Sequence, residues 1–140
     1  MLLPTLLLLL APVVLDLESV KAEPNLDRRA DLALDNATAA LEKAKSLYRE
    51  SEYKKAQASV LEIRDSVEVC LEALKATGKD PRKNARQFKK VEQRIQLLIR
   101  RLKGFELEVS VEDRPTIKKV EERLEDINDE IVSGIFTKSK

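Results

Sequence analysis

Between Lys79 and Lys103 the chain carries ten Lys or Arg against two carboxylates, Asp80 and Glu92, although the whole 140-residue sequence has a formal net charge of +1. Within it Lys83, Arg86, Lys90, Arg94 and Arg101 recur largely at steps of three, four and seven, so on a helix they form one basic ridge. Two chemistries are open to such a ridge: it can hold a polyanion, or it can be neutralised from inside the molecule. The next segment, residues 106–130, holds ten acidic and four basic residues. That balance favours an internal match between adjacent helices of opposite charge. The polyanion alternative makes those five residues an anion-binding surface.

Other chemistry is sparse. With no His in the sequence, the usual general base, the Ser-His and Cys-His pairs and the Glu-x-x-His ligands of di-iron bundles are all missing. Three Gly residues, each at an expected helix end, leave no glycine-rich loop to cradle a phosphate. Carboxylates alone can run a glycosidase-type reaction, which needs two of them in a shaped cleft. Glu121, Glu122, Glu125, Asp126, Asp129 and Glu130 cluster, but they fall between apolar positions, where a solvated helix face belongs. Cys70 lies on an apolar stripe and is expected to act as a small hydrophobe. The sequon Asn36-Ala37-Thr38 sits in mid-helix and is expected to be a chance match. No catalytic, cofactor-binding or metal-binding residues are therefore assigned, no cofactor is expected, and the chain is expected not to be an enzyme.

The elements that position these residues follow from one period. Apolar residues at a 3-4 spacing restart four times: Ala30 to Tyr48, Tyr53 to Leu74, Phe88 to Phe105, and Ile117 to Ile131. Each run is one apolar stripe on one helix. Asn25 or Asp27 can cap the first helix, and Gly78 can end the second in a left-handed turn. Asp80-Pro81 offers an N-cap and a first helical proline for the third, Gly104 a stop for it, and Asp113 with Pro115 a start for the fourth, which Gly134 would end. The segment "FELEVSVED" alternates Leu107, Val109 and Val111 with polar residues and is expected to be an extended connector. The fold expected is all-α, an antiparallel four-helix bundle or two packed helical hairpins.

Ala44 and Leu47, the tight Ser51 to Tyr53 turn, then Ala56 and Val60 fall at the spacing of small and large packing residues in a tetratricopeptide hairpin, which this segment, about residues 40–73, resembles. A second repeat 34 residues on would put Gly78 and Pro81 where Ala44 and Leu47 stand. The resemblance thus implies one antiparallel hairpin rather than a solenoid with a peptide groove.

The first fifteen residues carry no charged side chain, too short a run for a spanning helix of about 20 residues but suited to a secretory signal. Val20-Lys21-Ala22 supplies the small residues that a signal peptidase reads, so residues 1–22 are expected to be removed near Ala22, leaving 23–140 as a single helical domain. The alternative is a membrane anchor formed by uncleaved residues 1–15. The lone Cys70 excludes an intramolecular disulfide, so packing must supply the stability.

Together these features lead to an exported, periplasmic or secreted, non-enzymatic bundle that acts through contacts with an unknown protein partner. The alternative function is a binding module for anionic lipid head groups or envelope polymers through residues 79–103. Nucleic acid is not expected, since an exported chain with 4% aromatics offers few rings for stacking, and no small-molecule substrate is expected.

Overall fold

The computed structural model describes residues 16–136; the apolar run of residues 1–15, expected to be a signal or anchor, lies outside the described residues. The elements are α1 (Leu17–Lys21), α2 (Leu26–Arg49), α3 (Tyr53–Ala76), α4 (Ala85–Glu108), a short 3-10 turn (Val111–Asp113) and α5 (Arg114–Phe136), with no strand among the described residues. The all-α bundle expected from the apolar period is the observed fold. The four stripes form one core, in which Leu34, Leu41, Ile63, Val67, Ile95, Leu102, Leu124 and Ile127 are shielded from solvent.

Local chemistry explains most of the boundaries. Asn25 caps α2 by accepting from the Arg28 N–H at 3.0 Å. The turn between α2 and α3 is three residues long, with Ser51 left-handed at φ 63° where glycine is the usual occupant. Gly78, at φ 66°, follows α3 as the sequence predicts. Two other glycines do not stop helices. Gly104 lies inside α4, which continues to Glu108 because Phe105 and Val109 still have core to enter. Gly134 lies inside α5, where a β-carbon would stand 3.2 Å from Pro81 Cγ, so its small size admits the preceding crossover. Asp80 starts a turn rather than α4: its carboxylate accepts from the Arg82 N–H at 2.9 Å, and the helix begins only at Ala85. The expected extended connector shrinks to Val109 and Ser110, both with extended backbone.

Helix order decides what can meet what. The extensive contacts run from α2 to α3, α3 to α5, α5 to α4 and α4 back to α2, closing a ring. The chain therefore forms two antiparallel hairpins laid side by side, with α2 parallel to α4 and α3 parallel to α5. Ion pairs report this directly: Lys90–Asp31 and Arg94–Asp35 rise together in number, as do Arg123–Glu68 and Lys75–Glu130. The crossover Thr77–Asn84 carries the chain from one hairpin to the other.

Both hairpin turns lie at one end of the ring and are tied to each other. Tyr48 accepts from the Ser110 N–H at 2.7 Å and stacks edge-on against Tyr53 and Phe105, while Gln57 donates to Asp113 at 2.9 Å. At the opposite end α1, capped by Asp16, packs against α2 and places Val20 in the core with no exposed surface. None of the described helices is long and apolar enough to cross a membrane.

Candidate functional site

The five ridge residues all map to the α4 region, but the structure divides them. Lys90 lies 3.7 Å from Asp31 and Arg94 lies 2.6 Å from Asp35, while Lys79 on the crossover reaches Asp27 at 2.7 Å. Asp27, Asp31 and Asp35 are spaced by four, so α2 presents one carboxylate per turn to a helix running in its own direction. One oxygen each of Asp27 and Asp31 is buried without a hydrogen-bond partner. The cations opposite offset that electrostatic cost. The internal match is thus real for part of the ridge, but its partner is α2 and not the acidic segment 106–130. The reason is the ring order: this ridge flanks α2, and among the described residues none of its five cations pairs with α5, which is reached instead by Lys103 of the same helix at 3.1 Å from Glu125.

Lys83, Arg86 and Arg101 are exposed, as are Lys89 and Arg100, and among the described residues none of the five has a carboxylate within ion-pair distance. Lys89, Gln93, Leu97, Arg100 and Arg101 share the outward face of α4, with Leu97 42% exposed among them. This is a cationic face with an apolar centre. At the start of α4, Lys83, Asn84, Arg86, Gln87 and Lys90 line an open groove.

The carboxylate cluster of α5 also divides. Glu125 and Glu130 pair with Lys103 and Lys75, and Glu122, Asp126 and Asp129 face solvent. Glu121 does not belong to the solvated face where the sequence put it. It is buried against α4, with one carboxyl oxygen lacking a hydrogen-bond partner, and burial first, then the neighbouring Glu106 carboxylate, push its carboxyl up to about 7. Its place beside Val120 on the inner face is the sequence signal that could have found it.

Cys70 is buried on the α3 stripe, and burial pushes its thiol up to about 12, so the thiolate needed for nucleophilic or redox chemistry is disfavoured. Asn36 is also buried, its amide donating to Ser66 Oγ at 2.8 Å, which leaves no room for a glycan on the folded chain. No protein-family model matches the chain, and no curated protein or solved structure does either.

Proposed function

We propose that the protein is an exported, non-enzymatic helical bundle that works through contacts with another protein, and that the outward face of α4 is the contact surface. The observation that carries this reading is the unneutralised positive charge of Lys89, Arg100 and Arg101 around the exposed Leu97. The apolar stripes are already spent on one another, so recognition falls to an outer face. A face with an apolar centre and a charged surround suits the acidic surface of a protein partner. Export rests on the apolar residues 1–15 and on Val20-Lys21-Ala22. The single hairpin that resembles a tetratricopeptide unit serves here as the pairing of α2 with α3.

The test is a photo-crosslinking side chain at Leu97, with one at exposed Ala58 on α3 as control, carried by the full chain in its native cells. A discrete adduct at Leu97, lost on Arg100→Glu with Arg101→Glu, is the expected result. Equal adducts at both positions, or an adduct at Leu97 that the reversal leaves intact, would refute the assignment of the face. The second reading, binding of anionic lipid head groups or envelope polymers, retains Lys83, Arg86 and Arg101 as its unpaired cations, while Lys90 and Arg94 are engaged by α2.

A further inference from the structure

The packed bundle leaves charges of opposite sign on the outer faces of two neighbouring helices. On α4, Arg100 and Arg101 are exposed, with the exposed Glu108 two turns further on; on α5, exposed Lys119 is followed by exposed Asp126 and Asp129. Among the described residues none of these six lies within ion-pair distance of an opposite charge. Two contacts fix the register of the α4–α5 hairpin: Lys103 meets Glu125 at 3.1 Å, and Glu106 neighbours Glu121. Carried along both antiparallel helices, that register brings Leu97 level with Val132, Arg100 with Asp129, Arg101 with Asp126 and Glu108 with Lys119, each to within one residue. Within one molecule these matched residues do not meet, because the seam between the helices is filled by Lys103, Glu121 and Glu125.

A second copy turned about a two-fold axis that runs along the hairpin keeps every residue at its height and lays α4 of each molecule on α5 of the other. The basic pair then faces the acidic pair, the change of sign at Glu108 is answered by Lys119, and the exposed Leu97 meets the half-buried Val132. An axis across the helices would instead set the basic α4 against itself. Glu122 comes level with Glu106, but Glu106 is turned toward Glu121 in the seam; Lys83, Arg86 and Lys89 come level with positions beyond Phe136 and take no part. We propose that a second copy of this chain docks on the outward face of the α4–α5 hairpin, forming a two-fold dimer in which Arg100 and Arg101 of each copy pair with Asp129 and Asp126 of the other beside Leu97. This rests on the reading of the α4 face as a protein-contact surface and names its partner as a second copy. With one apolar contact among charges, the dimer is weak and reversible.

Sedimentation of the full chain reads the association, and a photo-crosslinking side chain at Leu97 in native cells places it. The parent should form a reversible dimer at low salt, weakened about tenfold or more in about 0.5 M salt. Arg100→Glu with Arg101→Glu, and separately Asp126→Lys with Asp129→Lys, should each weaken self-association about tenfold or more, since like charges then face each other. Mixing the two variants should restore pairing to within about threefold of the parent. In that mixture the acidic α4 of one variant meets the basic α5 of the other, and the two unaltered faces match in turn. The adduct at Leu97 should have twice the chain mass and map to the α5 peptide around Val132. A parent that stays monomeric, a dimer that survives both reversals, or a mixture that fails to recover would overturn the proposal. Residues 1–15 are present in every variant, so association through them is the kind that survives. A Leu97 adduct to a different protein overturns the second copy as partner and leaves the contact face standing. None of the four reversed charges makes an ion pair, so thermal unfolding at a monomeric concentration should match the parent and separate lost pairing from lost fold.

Discussion

Glu121 carries the clearest pH dependence in the molecule. Its carboxyl is raised from 4.5 to about 7 by burial first and by Glu106 second. A raised acid binds its proton more tightly in the folded state than in the unfolded chain. Its favourable contribution is therefore complete below about 4.5 and is lost as pH rises through about 7. The groups facing it are Glu106 and Lys103 from α4 and Glu125 from its own helix. Unfolding measured from pH 5 to pH 8 should show wild type losing stability on the order of 1–3 kcal/mol relative to Glu121→Gln. Parallel curves for the two would remove Glu121 from the account. Asn36 makes a second test at this scale: Asn36→Ala leaves Ser66 with a buried unpaired hydroxyl and should cost about 1–3 kcal/mol by denaturant unfolding. Asn36 was not legible as such in the sequence, because a buried Asn in a sequon looks like surface until packing places it; Glu121 left one signal, its step of four from Ile117 beside Val120, which the surrounding run of acids masks.

Helices are what the sequence shows best. The 3-4 apolar spacing marked all four long helices, since each stripe is a local property that no later contact alters. Ile95 and Leu98 are both in the core, and truncating either to Ala should cost about 2–5 kcal/mol in chemical denaturation. A loss below about 1 kcal/mol at both would contradict the packing of α4. Helix ends were less legible: Gly104 and Gly134 have the composition of stops, yet buried residues beyond each hold the helix on. Which helix faces which was not legible at all. The charge tally pointed from α4 to α5, whereas the parallel neighbour α2 takes the pairs. Lys90→Glu with Arg94→Glu should destabilise by about 1 kcal/mol, less in high salt. Adding Asp31→Lys and Asp35→Lys should restore most of that loss; reversing acids of α5 instead should not. Rescue from α5 and none from α2 would invalidate the ring order.

At the scale of the whole molecule, the two turns share one end through Tyr48 and Ser110, and the other end is closed by α1. That second closure sets a problem of timing. A signal peptidase takes its substrate as an extended strand, and the residues expected to enter it, Val20 to Ala22, are wound into α1 and its cap, with Val20 sealed in the core. Folding and cutting at Ala22 compete for the same three residues. The cut can be made only on a chain not yet folded, and once made it deletes a side chain that the finished core contains. Chain 23–140 should therefore melt below chain 16–140, by the equivalent of about 1–3 kcal/mol for one buried Val and its neighbours. Equal melting would show Val20 to be dispensable, and mass spectrometry of the exported protein would show which contestant wins: an amino terminus at Glu23 means that the peptidase arrives first, one upstream of Asp16 that folding does.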